Sequence, residues 1–225
     1  MLTSAQVRVS ARVNGFSYAI RNIVAEAKAI EATGRPVRYL NIGDPVQFGF
    51  RTPPHLIAAV DEAMRAGHNG YVPSVGILPA REAVAGEWTR RGVPVTADRV
   101  CLTSGTSEGI ELALSAIADA GDDVLVPAPN YPLYTAVLAK IGARGVHYRM
   151  DPDNDWLPDM DDVRRQIGPR TRAIVVIDPN NPTGAVYPEA TRRAFIDLAE
   201  STGLVSLADE VYSDVAFDGP TALLG

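Results

Sequence analysis

The chain has 225 residues and very little of what staples, anchors or membrane-seats a protein. It holds a single cysteine, Cys101, so neither an internal disulfide nor a multi-cysteine metal site can form. The apolar neighbours of Cys101 predict a buried structural thiol. No apolar run approaches the ~20 residues of a membrane-spanning helix. The first ten residues lack an apolar signal core, which argues against secretion and leaves the cytoplasm as the expected location. Lysine is scarce: Lys28 and Lys140 are the only two among 21 basic residues, so lysine-amine chemistry has two candidates. Positive charge is also outweighed. Against those 21 stand 27 acidic residues, a net charge of −6, which argues against a nucleic-acid partner. With 46% apolar and 21% charged residues, the chain reads as an ordinary folded protein long enough to bury a core unaided.

The pattern along the chain divides near residue 99. Before it, apolar positions at three- and four-residue spacings predict helices over 17–33, 54–65 and 79–91, with glycines at 34, 67 and 92 as stops. A short strand-like piece covers 37–42. After it, apolar runs at 99–103, 123–127, 144–148, 172–177 and 204–208 alternate with helical stretches at 106–119, 131–141, 159–167 and 188–201. That alternation predicts a mainly parallel α/β sheet flanked by helices. The run Ala173-Ile174-Val175-Val176-Ile177 suits a central strand buried on both faces.

In such a sheet ligands gather beyond the carboxyl ends of strands, so each strand-to-helix junction is a candidate site. Thr103-Ser104-Gly105-Thr106-Ser107-Glu108-Gly109 offers unpaired N–H groups, a helix dipole and hydroxyls, the features that hold a phosphate. The plainer reading is an N-cap at Ser104 or Thr106. The segment matches neither the dinucleotide glycine fingerprint nor a P-loop. Pro129-Asn130-Tyr131-Pro132 sets an aromatic ring near a helix start, where it stacks on a planar ligand or, with Tyr134, simply packs helix against sheet. Asp178-Pro179-Asn180-Asn181-Pro182-Thr183-Gly184 forms a rigid loop presenting side-chain amides. Asp209 follows an apolar strand, where a carboxylate needs a positive partner such as a protonated ring nitrogen, unless it merely caps a turn.

These segments, with Asn41-Ile42-Gly43-Asp44-Pro45, Tyr71-Val72-Pro73-Ser74-Val75-Gly76 and Ala208-Asp209-Glu210-Val211-Tyr212, occur in an order that resembles the pyridoxal-phosphate-dependent aminotransferases of class I/II, fold type I. The opening stretch and the Ser107-Glu108-Gly109 helix start look most like the bacterial alanine-aminotransferase branch. The resemblance implies an α/β fold, the fold-type I large domain with a mainly parallel sheet, incomplete at its C-terminal end. Residues 51–225 would form that domain and 1–50 an N-terminal arm with part of the small lobe.

The resemblance further implies pyridoxal 5'-phosphate as cofactor, held by eight residues. Gly105, Thr106 and Ser107 would grip its phosphate and Tyr131 would cover its ring. Asp209 would pair with the ring nitrogen, Asn181 and Tyr212 with the ring oxygen. Tyr71 would reach the phosphate of the neighbouring subunit of a homodimer. Gly43 and Asn181 would meet the substrate. The implied reaction moves an amino group from a small, alanine-like 2-amino acid to a 2-oxo acid.

One departure stands out. The family's Schiff-base lysine follows the Asp209 segment by tens of residues, and here the 16 residues after Asp209 include no lysine. Lys28 and Lys140 read as solvated side chains. Two sheet strands of the family also follow that segment, inserting between it and the strand at 99–103. The expectation is therefore a truncated chain, inactive alone, with a gap in its sheet. A lyase on the same fold and a non-catalytic cofactor-binding protein stay open as alternatives.

Overall fold

A computed structural model describes residues 19–39, 43–217, 221 and 224. Helix α1 spans Ala19–Glu31, α2 Pro54–Arg65, α3 Leu78–Arg90 and α4 Thr106–Ile117. Then come β1 (Asp123–Ala128), α5 (Pro132–Ile141), β2 (Arg144–Asp151), β3 (Leu157–Pro158), α6 (Met160–Gln166), β4 (Thr171–Ile177), α7 (Glu189–Thr202) and β5 (Val205–Asp209). The predicted helix start at 17 and positions 40–42, which include Asn41 and Ile42, lie outside the described residues.

The sheet runs β3-β2-β1-β4-β5, parallel except where β3 turns back on β2. The chain lays down β1, moves outward to β2, and returns to place β4 on the other side of β1. The boundary between β1 and β4 is thus the switch point where strand ends diverge and leave room for a ligand.

Alternation along the central strands explains their unbroken apolar sequence. Val124, Val126, Ala173, Val175 and Ile177 face one side and pack with Ile110 and Leu114 of α4 and with Tyr134, Val137 and Leu138 of α5. Leu125, Ile174 and Val176 face the other, against Val163 of α6 and Phe195 and Leu198 of α7. Successive side chains point to opposite faces, so a strand covered by helices on both sides has no polar positions to spare. Ala173 through Ile177 are at most 1% exposed. Both α5 and α7 end on a left-handed glycine, Gly142 and Gly203.

Two expectations require correction. Residues 99–103 do not form a strand: a 3-10 turn occupies Ala97–Arg99, and beyond it Leu102 N donates to Val75 O at 3.0 Å without a ladder developing. A strand exists only where a neighbour pairs with it, and among the described residues none does so here. Cys101 is exposed rather than buried, because its segment borders an open cleft. That cleft, about 720 Å³, runs between Cys101, Leu102 and Thr103 on one wall and Leu207, Ala208 and Asp209 of β5 on the other. β5 is half-exposed along its length and pairs with β4 alone among the described strands. No helix of the described residues is long and apolar enough to cross a membrane.

Candidate active site

Four chain segments meet at the carboxyl ends of β1, β4 and β5. The first is the start of α4. Its N-cap is Gly105, at φ 78°, and it makes no side-chain capping bond, so the plain N-cap reading of Ser104 and Thr106 is replaced. Instead the Thr103 hydroxyl donates to Gly105 O (2.9 Å), and the Ser104 N–H donates to Glu108 Oε2. Glu108 thereby braces the turn from behind. The N–H groups of Thr106 and Ser107 belong to the first helical turn, where no intrahelical acceptor exists, and both residues are exposed. This end of the helix can take an anion.

The second segment follows β1. Tyr131 precedes α5 in extended conformation and is partly buried against the core cluster. Three residues on, Tyr134 is 3% exposed and its hydroxyl donates to Asp209 Oδ2 at 2.8 Å. Burial, and then the negative charge of Asp209, push the Tyr134 hydroxyl far above the ordinary phenol range, so it remains a neutral donor.

The third segment, 178–187, is a braced loop. Asn180 N donates to Ala185 O and Gly184 N to Asn180 O, both at 2.8 Å. The Asn180 amide oxygen accepts from Thr183 N and Thr183 Oγ1. Beneath it, buried Asp178 accepts from Tyr187 N (2.9 Å) and Arg192 Nη1 (3.3 Å). Burial raises the Asp178 carboxyl above the usual range, against the pull of those two donors. Asn181 belongs to this loop and is partly buried.

The fourth is the end of β5. Asp178 N donates to Asp209 O (3.0 Å), locking the ends of β4 and β5 together. Asp209 Oδ1 accepts from Val211 N at 3.3 Å, the turn contact that a capping reading anticipates. Its second oxygen is the one held by Tyr134. Beside it, the Glu210 carboxyl is raised by burial, while Leu224 N donates to Glu210 Oε1.

Thr106, Ser107, Tyr131, Asn181, Asp209 and Tyr212 together line a single cavity of about 260 Å³, with Val211 as the remaining wall. That is slightly below the usual ~300–1,000 Å³ of a small-molecule pocket. It adjoins the larger cleft, which shares Thr106, Asp209 and Val211 and includes Gly105. A third hollow of about 340 Å³ shares Asn181 and Tyr212 and extends toward Val215 and Phe217. Two predicted residues stand apart. Tyr71 is fully exposed, and Gly43 is exposed too, where a Cβ would meet no heavy atom of the described residues within 4 Å. Neither lysine lines the cavity. Lys28 is exposed on α1, and Lys140 pairs with Glu111 rather than standing free in solvent. Sequence reasoning missed the bond from Tyr134 to Asp209, which joins residues 75 positions apart.

The parallel sheet, the helix start facing its switch point and the carboxylate at the end of β5 define the large domain of a fold-type I transferase. The chain belongs to the aminotransferase class I and II family, whose family model matches residues 36–224. It is 39% identical to the glutamate-pyruvate aminotransferase AlaA of Escherichia coli K12 over 214 residues, which cover 94% of this chain and 53% of that protein. It is 42% identical over 212 residues to an alanine aminotransferase of Mycobacterium bovis, covering 93% and 49%. Among solved structures, an alanine aminotransferase from Pyrococcus furiosus superposes with a TM-score of 0.92 at 39% identity, covering 96% of this chain and 56% of that one. A single mutant of Thermus thermophilus aspartate aminotransferase matches at 0.90 and 33%, covering 98% and 57%. The chain thus spans about half the length of the relatives it matches.

Proposed function

We propose that the cavity binds pyridoxal 5'-phosphate and supplies the cofactor contacts for amino-group transfer from a small, alanine-like 2-amino acid to a 2-oxo acid, while this chain by itself, with no lysine lining the cavity, does not complete the transfer. The observation that carries this reading is the convergence of six residues from four distant segments on one cavity. The donor set fits the group. The Thr106 and Ser107 N–H groups and hydroxyls bind the phosphate at the positive end of α4. Tyr131 covers the ring, while Asn181 and Tyr212 hydrogen-bond its oxygen. Asp209 holds a proton on the ring nitrogen, because a nearby carboxylate favours the cationic form. When bound, the cofactor supplies an electron sink for bond cleavage at the amino acid's α-carbon. The relatives named for alanine and for glutamate-pyruvate transfer support the substrate class.

A homodimer belongs to the same proposal. Ile57, Val60 and Met64 form an exposed apolar stripe on α2, a face that a second copy of the chain would cover. Fully exposed Tyr71 is then free to reach across to the partner's phosphate site. A reducing, cytoplasmic setting suits the exposed lone thiol of Cys101.

Since neither lysine lines the cavity, this chain holds the cofactor without a covalent link. Absorbance titration should show saturable binding of pyridoxal phosphate, much weaker binding of pyridoxal, and no cofactor fixed to Lys28 or Lys140 after borohydride reduction and peptide mapping. Lack of binding, indifference to the phosphate, or cofactor fixed on either lysine overturns the reading.

A further inference from the structure

Three tyrosines are deeply buried in the sheet region, and their hydroxyls end in different places. Tyr148 donates to the backbone at Val175 O (2.9 Å), and Tyr187 to the sulfur of Met150 (3.7 Å), so both serve the fold. Tyr134 alone of the three sends its hydroxyl to a side chain lining the cavity, the carboxylate of Asp209. Its ring is clamped in the core cluster with Ile110, Val137 and Ala173. Its position is therefore set by the fold and not by any ligand. The two oxygens of Asp209 each take one protein donor, Tyr134 on Oδ2 and Val211 N on Oδ1, so the plane of the carboxylate is fixed. Each oxygen keeps a second lone pair for a further donor.

We propose that Tyr134 is a positioning residue of this site, its hydroxyl orienting the Asp209 carboxylate toward the ring nitrogen of the bound cofactor. The inference rests on the cofactor reading above. A phenylalanine would fill the same space in the core, so the packing of α5 does not require the hydroxyl. What the hydroxyl adds is a neutral donor, since burial and the neighbouring Asp209 charge both oppose its ionisation. It holds the carboxylate in one orientation without cancelling its charge.

The test uses the 225-residue chain and its Tyr134→Phe, Asp209→Asn and doubly substituted forms, with two probes. One probe is pyridoxal phosphate; the other is its 1-deaza analogue, in which C–H replaces the ring nitrogen. Equilibrium dialysis should show Tyr134→Phe weakening pyridoxal phosphate about ten-fold, because the carboxylate is no longer held in advance toward the ring nitrogen and must be ordered on binding. Binding of the deaza analogue should be unaffected, and in the Asp209→Asn background removing the hydroxyl should have no further effect. Equal weakening of both probes, or no weakening of either, overturns the proposal. If the unsubstituted chain binds neither probe, the cofactor reading itself fails. A cofactor-free measurement guards against a variant that does not fold. The Tyr134 hydroxyl proton should be protected from solvent exchange in the unsubstituted chain and lose that protection in Asp209→Ala, which removes the acceptor. Protection that persists there overturns the proposal.

Discussion

At the scale of single residues, charge pairs at the strand ends separate fold-holding groups from site-forming ones. Arg144 at the start of β2 grips Asp123 at the start of β1 with two bonds, 2.8 and 2.7 Å. That guanidinium holds the nearly buried Asp123 carboxyl below the usual carboxylate range. A depressed carboxylate stabilises the fold above its unfolded value, about pH 3.9, and the contribution fades as pH falls through the lower folded value. Arg144 is more than half exposed, so the expected effect is modest. Asp123→Asn should lower stability at pH 7 by about 1 kcal/mol. In urea titrations the gap to the unsubstituted chain should narrow below about pH 4. A gap that is the same at pH 7 and pH 3 would contradict the pairing. The amino end of the sheet thus spends its charges on closure. The carboxyl end leaves an oriented carboxylate, Asp209, facing a cavity.

Elements carry the next level of specificity, and Gly76 shows how. Its φ is 94°, and a Cβ there would lie 2.6 Å from Leu102 Cδ1 and 2.9 Å from Leu102 Cβ. This close approach lets the loop bearing Tyr71 bond to the segment that leads into α4, through Leu102 N and Val75 O. Arg81 secures the same junction by donating to Gly76 O (3.1 Å) and Ala97 O (2.7 Å). Gly76→Ala should cost about 1–3 kcal/mol, from left-handed backbone strain and the overlap with Leu102, and should appear as a lowered melting temperature. An unchanged melt would mean that the loop does not rest on this segment. Most elements were legible from local pattern: α2 begins and ends where its periodicity and Gly67 place it, and β4 occupies its apolar run. Residues 99–103 were not, because strand formation there depends on a pairing partner that local sequence does not encode. The exposure of Cys101 follows from the same cause. The residues of the cavity wall were suggested by motif order. The link from Tyr134 to Asp209 was not, since it joins the first turn of α5 to the last residue of β5, 75 positions on, and no local spacing encodes that contact.

For the molecule as a whole, the two apolar layers on either face of the sheet explain why the second half of the chain is its well-buried part. The first half presents apolar side chains outward instead, with no buried residue on α2. If that stripe is a dimer face, Val60→Asp with Met64→Glu should convert a dimer to a monomer in sedimentation velocity. The melting temperature of the resulting monomer should then no longer depend on protein concentration. A monomeric unsubstituted chain would show instead that the stripe serves another contact. The cleft beside β5 has a different consequence. Its wall offers a row of backbone donors and acceptors, with Val205 beside them 43% exposed, and such a rim pairs with whatever extended peptide arrives first. Handling of this chain is therefore a race between orderly strand docking and indiscriminate stacking of one molecule on the next. Dilution and a short extended peptide offered in excess should keep preparations clear that would otherwise turn cloudy.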